Sequence, residues 1–109
     1  MNFLDYERAM HRTANMDRSD FVEQLTVGAL GISGEAGEVT DYIKKVVFHK
    51  HDLSKDKLAE ELGDVLWYVT YLAQSAGYSL EEIASMNIEK LKRRYPDGWS
   101  SECSVNRED

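Results

Sequence analysis

The sequence predicts an all-α fold, organised as a compact four-helix bundle-like domain with a polar C-terminal tail. Four segments carry apolar residues at the i, i+3 and i+4 spacing of amphipathic helices, and no segment shows the alternation typical of a half-buried strand. A serine or an aspartate that can cap a helix precedes three of them. The length of 109 residues fits one domain with a modest core, which partner chains could complete. We therefore place the domain at residues 1–96 and the tail at 97–109.

A short polar break separates the first two helices. The first is predicted from about Asn2 to Ala14, and Ser19 or Asp20 can cap the second, which runs to about Phe48. Glycine recurs at every third position from 28 to 37 of the second helix, although it costs up to about 1 kcal/mol in a helix interior. Such glycines indicate close helix packing or a nucleotide that passes near the backbone.

The third and fourth helices also begin at capping residues. Ser54 can cap the third, which ends near the C-cap signal at Gly77. Ser79 can cap the fourth, with Glu82 placed to complete a capping box, and Pro96 ends it. The four helices are thus joined by short polar connections.

Two large aromatic residues point to assembly. Trp67 and Tyr71 fall on the side of the third helix away from its apolar stripe. Exposed large aromatics usually mark an interface. We interpret them as evidence for a homodimer or homotetramer, with packing against the first helix as the alternative.

Two acidic pairs are the most informative feature of the chain. Glu35 and Glu38 lie on the second helix, and Glu61 and Asp64 lie on the third. The i, i+3 spacing places both members of a pair on one helix face. Each pair lies along the edge of the apolar stripe of its helix, so packing of the two stripes can bring the acids together. The stripes comprise Leu25, Ala29, Ile32, Ala36, Val39, Ile43 and Val47, and Leu58, Leu62, Val65, Leu66, Val69, Leu72 and Ala76.

Four carboxylates at the edge of a core would repel one another and would be costly to desolvate. A cation must compensate for this charge, and oxygen-only ligands select a hard cation. Mg²⁺ fits best, because it accepts a few carboxylates and keeps sites for water and phosphate oxygens; Mn²⁺ can substitute for it. The alternative is that all four are solvated surface acids with lysine partners at i, i+4.

A basic counterpart lies on the fourth helix, where Asn87, Lys90 and Arg94 line one shoulder. Such donors could neutralise the excess negative charge of a metal-bound triphosphate. The alternative is an exposed basic turn that complements the dipole of the helix C-terminus.

The overall composition excludes several classes of protein. A net charge of -7 and a pI near 4.9 argue against binding of nucleic acid polymers, which need a basic surface. Cys103 is the only cysteine, so no disulfide framework or thiolate metal site is expected. No run of residues is apolar enough to span a membrane or to form a signal peptide. These features favour a cytoplasmic protein.

The acidic pairs and the closing motif resemble those of a known family, the MazG-like all-α nucleoside triphosphate pyrophosphohydrolases, which are related to dCTP pyrophosphatases and dimeric dUTPases. Family members carry E-x-x-E and E-x-x-D on adjacent helices. Matching segments of this chain are EAGE at 35–38, ELGD at 61–64, DYE at 5–7, RT at 12–13 and NIEKLKRRYP at 87–96. Lys45 stands where dCTP-preferring members have a tryptophan, so their base preference is not transferred.

The resemblance implies Mg-dependent hydrolysis of nucleoside triphosphates to the monophosphate and pyrophosphate, in a bundle that assembles as a dimer or a dimer of dimers and cleans the nucleotide pool. Glu38 and Glu61 are candidates for polarising the attacking water. The implied metal ligands are Glu35, Glu38, Glu61 and Asp64, and the implied substrate residues are Tyr68, Asn87, Lys90 and Arg94.

Two other functions are compatible with a helical acidic protein. A di-iron bundle requires Glu-x-x-His pairs, but positions 38 and 64 are acids. A non-catalytic helical module that binds nucleotides or partner proteins remains the main alternative, and metal-dependent turnover would separate it from an enzyme.

Overall fold

A computed structural model describes residues 1–16 and 20–107, and this part of the chain contains five helices and no strand. The all-α prediction is therefore confirmed. A short fifth helix lies within the predicted tail. The helices are α1 (Phe3–Ala14), α2 (Phe21–Phe48), α3 (Lys55–Ser75), α4 (Leu80–Arg94) and α5 (Ser101–Val105). None of the described helices is long and apolar enough to cross a lipid bilayer.

The predicted caps begin three of the helices. Asp20, Ser54 and Ser79 each accept a hydrogen bond from the backbone N–H three residues further on, at 2.8 to 3.1 Å. The side chain of Glu82 accepts a hydrogen bond from the Ser79 N–H at 3.0 Å, which completes the predicted capping box. Ser19, the alternative cap of α2, lies outside the described residues.

The antiparallel pair of α2 and α3 forms the body of the molecule. A Cβ atom added to Gly28 would lie 2.8 Å from the Cβ of Leu72, and one added to Gly31 would clash with the ring of Tyr68. The packing interpretation is confirmed for these two glycines, because only a residue without a side chain permits so close an approach. The two later glycines of the series, Gly34 and Gly37, face open space.

Helix α1 covers one end of this pair. Met10 and Ala14 of α1 pack with Tyr71 of α3 in the buried core, and Trp67 packs against them. The rings of Trp67 and Tyr71 stack with centroids 5.7 Å apart. Tyr71 is only 2% exposed and Trp67 is partly buried, so the prediction that these aromatics are exposed is wrong, and the assembly inferred from them stays a prediction. They lie outside the stripe that faces α2, but α1 covers that second side of α3.

A buried carboxylate joins α1 to the start of α4. Glu7 is 7% exposed, and its carboxylate accepts a hydrogen bond from the Leu80 N–H at 2.6 Å. The first N–H groups of a helix have no partner within the helix, so this bond both satisfies Leu80 and places a negative charge at the positive end of α4. The spacing of Glu7 with Met10 and Ala14 was a readable sign that it lies on the buried face of α1.

A single chain leaves much apolar surface uncovered. Its radius of gyration is 17.0 Å, whereas a compact domain of this length has about 13 Å. Three residues of the predicted stripes, Ile43, Val47 and Leu62, are 38%, 53% and 51% exposed, and Phe48 is 75% exposed. These side chains lie beyond the part of the α2–α3 pair that α1 covers.

Candidate active site and metal centre

Three carboxylates from α2 and α3 converge at the edge of the helix pair. Glu35, Glu61 and Asp64 each offer an oxygen atom, and these three atoms all lie within 4.8 Å of one another. We call this group the carboxylate triad. Glu35 and Glu61 are partly buried and Asp64 is exposed. The group is therefore open to solvent on one side, and one small cation could contact all three residues after modest side-chain movement.

The close approach of the two helices explains this convergence. Gly31 contacts Tyr68, and each of these residues lies one helical turn from a member of the triad, Glu35 and Asp64 respectively. A larger residue at position 31 would push the helices apart at the level of the acids. The small residue at position 31 thus allows the close helix contact that brings the acids of α2 and α3 together.

Glu38 stands beside the triad instead of within it. Its side chain is exposed and lies one turn along α2 from Glu35. The pKa of Glu35 is raised by partial burial and by the negative charges of Asp64, Glu38 and Glu61. The structure thus brings three of the four predicted acids within reach of one cation and leaves the fourth close enough to raise the pKa of Glu35.

One lysine partly neutralises the group. Lys57 Nζ lies 2.9 Å from a carboxylate oxygen of Glu61, and this hydrogen bond raises the pKa of Lys57. Lys57 and Glu61 are four residues apart on α3. This is the lysine pairing expected if the acids were ordinary surface residues, so that alternative describes part of the environment of Glu61. A single lysine leaves the triad with excess negative charge, as the raised pKa of Glu35 also indicates.

A tyrosine fixes the beginning of α3, from which Lys57 projects. The Ser54 N–H donates to the hydroxyl of Tyr42 at 2.8 Å, and that hydroxyl donates to the Ser54 carbonyl at 3.3 Å. Tyr42 belongs to α2, so this pair of bonds ties the N-terminal cap of α3 directly to its neighbour. Neither Tyr42 nor Lys57 is among the site residues that the sequence predicts.

A pocket of about 350 Å³, the carboxylate pocket, adjoins the triad. Tyr68, a predicted substrate residue, forms part of its wall, and Thr13 of α1 forms another part. Burial and the negative charge of Asp64 raise the pKa of Tyr6 of α1. The residues that line the pocket are Thr13, Glu35, Asp64, Trp67 and Tyr68.

The predicted substrate residues of α4 lie elsewhere in the chain. Lys90 and Arg94 line a separate pocket of about 520 Å³ between the end of α4 and α5, which we call the basic pocket. It shares no lining residue with the carboxylate pocket. Asn87 is exposed one turn before Lys90. Within one chain, the fold therefore brings Tyr68 to the acids but does not bring the α4 residues into the same pocket.

The fold and the site define an all-α protein with a cluster of carboxylates suited to a hard cation. Residues 25–99 match the MazG nucleotide pyrophosphohydrolase domain, and the chain belongs to this family of hydrolases. The Gene 37 protein of Mycobacterium phage L5 is 36% identical over 92 residues, which cover 81% of each chain. No solved structure matches the chain at a significant level.

Proposed function

We propose that the protein hydrolyses nucleoside triphosphates between the α- and β-phosphates, with Mg²⁺ as cofactor and Mn²⁺ as a substitute. The observation that carries the proposal is the convergence of three carboxylates from two helices in a chain of the MazG family. The products would be the nucleoside monophosphate and pyrophosphate. The corresponding biological role is nucleotide-pool cleaning in the cytoplasm.

The residues present suit the proposed cation. Glu35, Glu61 and Asp64 provide only oxygen ligands, which favours Mg²⁺ over softer metals. Glu38 is the proposed fourth ligand. Bound Mg²⁺ would act as a Lewis acid that offsets the charge developing on the leaving pyrophosphate.

The chain's own acids also supply the base that the attacking water needs. Glu38 and Glu61 are the candidates, and their environments differ. Glu61 already binds Lys57 at 2.9 Å, whereas Glu38 is exposed beside the triad. Glu38 is accordingly the stronger candidate for accepting the proton of water, and Tyr68 would hold the substrate against the wall of the carboxylate pocket.

The proposed substrate residues of α4 would reach the acids through assembly. Lys90 and Arg94 line a different pocket from the acids of their own chain, and each chain leaves apolar residues of α2 and α3 exposed. A homodimer or homotetramer would cover these residues and would allow Asn87, Lys90 and Arg94 of one chain to serve the carboxylates of another. The triphosphate would then lie between opposite charges from two chains.

A substrate screen tests the proposal. The purified protein is incubated with canonical and modified nucleoside triphosphates and deoxynucleoside triphosphates in Mg²⁺, and pyrophosphate and orthophosphate are measured separately. We expect pyrophosphate and the monophosphate in equal amounts, and no turnover in EDTA. Release of orthophosphate would contradict the assigned bond, and nucleotide binding without turnover would support the non-catalytic module instead.

A further inference from the structure

Helix α4 has an apolar stripe that its own chain leaves largely exposed. Leu80 at its start is buried, but every residue from 84 to 93 is exposed. An apolar groove of about 420 Å³ extends along the second half of the helix, from Ile88 to the exposed ring of Trp99. The α4 stripe, spaced as one helix face, consists of Leu80, Ala84, Ile88, Leu91 and Tyr95.

The accessible surface of the chain also exceeds that of a self-contained domain. It is 8233 Å², whereas a folded monomer of 12.5 kDa exposes about 6,200 Å². The excess of about 2,000 Å² is more than twice the roughly 800 Å² that each partner buries in a standard protein interface. Exposed residues of α2 and α3 contribute part of it, and the α4 stripe contributes another part. The area is sufficient for an interface on each surface.

The charges beside the α4 stripe are self-complementary. Glu81 lies near the start of α4 and Lys92 near its end, and both lie along the same edge of the stripe. When two copies of a helix pack antiparallel about a twofold axis, like edges meet and the start of one helix lies beside the end of the other. Glu81 of each copy would then face Lys92 of the other. Within its own chain, Lys92 lies 3.7 Å from Glu89 in an exposed pair, which contributes little.

We propose that α4 packs antiparallel against α4 of a second copy of this chain, with Ile88 beside the twofold axis. Ala84 and Leu91 lie four and three residues to either side of Ile88, so the small side chain of each copy receives the large one of the other. A pattern that complements itself in both shape and charge favours a second copy over a foreign protein.

This pairing leaves the proposed substrate residues accessible. Lys90 and Arg94 lie on the opposite edge of the α4 stripe from Lys92. The proposal deepens the proposed assembly by adding a surface on α4 to the exposed surface of α2 and α3. It rests on the proposed function only in expecting more than one chain, and no step of the reaction enters it.

Cysteine cross-linking of the full chain tests the position of the axis. Ile88→Cys is made in a Cys103→Ser background, where it is the only thiol, and is oxidised in EDTA without nucleotide. A disulfide needs Cα atoms within about 7 Å of each other, which a residue beside a twofold axis satisfies. We expect a disulfide-linked dimer as the main product.

Met86→Cys in the same background is the matched control. Met86 is 54% exposed and Ile88 is 50% exposed, so random collisions would oxidise the two thiols equally. Met86 lies on the side of α4 opposite the stripe. Its variant should therefore remain monomeric on a non-reducing gel.

Charge exchange tests the orientation of the two helices. Glu81→Lys or Lys92→Glu alone would place like charges opposite each other at two symmetric positions, and each should weaken association about tenfold. The double variant restores opposite charges and should recover the association of the unchanged protein. Light scattering over a range of concentrations in EDTA measures this, and circular dichroism melts verify that each variant is folded.

Three results would overturn the pairing: a monomeric unchanged protein, equal cross-linking of the two cysteine variants, or no recovery in the charge-exchanged double variant. Association that depends on Val47 but not on Glu81 and Lys92 would assign the interface to α2 instead. A monomer would leave the α4 stripe to a foreign protein or a lipid surface. Because metal and nucleotide are absent, each result is independent of whether the protein hydrolyses nucleotides.

Discussion

The carboxylate triad and the basic pocket are built on different kinds of scaffold. The triad lies on the most closely packed pair of helices, beside the contact of Gly31 with Tyr68. The basic pocket lies at the far end of α4, whose start is bonded to Glu7 of α1. Like charges that must stay within a few ångströms need rigid support, because repulsion would otherwise separate them. A single chain provides that support for the acids.

One chain completes the carboxylate pocket but does not bring the basic residues of α4 to it. The triad and the wall formed by Tyr68 and Thr13 are present within one chain. The cations Lys90 and Arg94 of α4 line another pocket, and apolar residues of α2 remain exposed. We infer that assembly brings the two charged regions into one working site.

The largest expected effect is on turnover after loss of an acid. Asp64→Ala or Glu38→Ala should lower kcat/KM by about a thousandfold or more, since each removes charge that would hold the metal or activate water. The melting temperature in EDTA should stay the same or rise, because either change reduces the repulsion among the four neighbouring carboxylates. Initial rates of pyrophosphate release and thermal melts provide the check, with Asp56→Asn on the same helix as the control. Activity near that of the unchanged protein would exclude the residue from the site.

Disruption of assembly should give the next largest effect. Val47 is 53% exposed on α2, and Val47→Asp would place a charge on the apolar surface that we expect a second chain to cover. Light scattering should show a shift toward smaller species, with a parallel loss of turnover. Trp67→Ala is the contrasting variant, because Trp67 packs within its own chain. This substitution should lower the free energy of unfolding by about 3 kcal/mol. A stable and active monomer in the unchanged protein would refute the role of assembly.

Separation of α2 from α3 tests whether packing supports the triad. Gly31→Ala would place a methyl group against the ring of Tyr68 and should cost about 1–3 kcal/mol of unfolding free energy, with loss of metal affinity. Gly34→Ala is the matched control on the same helix. Its Cβ would meet open space, so it should stabilise the helix by up to about 1 kcal/mol. Urea unfolding measures both, and equal effects would show that the contact at Gly31 is unimportant.

A change at the basic pocket should affect substrate use without affecting the fold. Lys90→Ala removes an exposed charge and should lower kcat/KM by about tenfold, with little change in melting temperature. Steady-state kinetics and a thermal melt test this together. A large loss of stability with unchanged kinetics per folded molecule would assign Lys90 a structural role.

The smallest effect concerns a charged group outside both regions. Lys44 and Lys45 lie 2.9 Å from the carboxylate of Asp41 and lower its pKa from 3.8 to about 2. A lowered pKa means that Asp41 stabilises the fold above pH 3.8 and that this stabilisation is lost as the pH falls toward 2. The contribution is small because the group is exposed to solvent. An NMR titration of Asp41 should show a lowered midpoint, whereas the pKa of Glu35 is raised. A midpoint near 3.8 for Asp41 would contradict the ion pairs with Lys44 and Lys45.

Local features of the sequence were sufficient to define the helices. Ser54 and Ser79 cap their helices through bonds to residues three positions away, so their role depends on nothing outside a short segment. The spacing within each acidic pair likewise follows from the geometry of one helix. The family resemblance, confirmed over residues 25–99, rests on these local patterns. Assembly and the roles of individual site residues remain predictions.

Tertiary packing decided the features that involve a third helix. Tyr71 appeared exposed because the apolar stripe of α3 faces α2, yet α1 covers its other side. Glu7 is buried because α4 begins beside it and needs an acceptor. The convergence of Glu35 with Asp64 depends on how α2 and α3 align, which the contact between Gly31 and Tyr68 fixes. A helix determines its own faces through short-range geometry, but which faces become buried depends on contacts between residues distant in sequence.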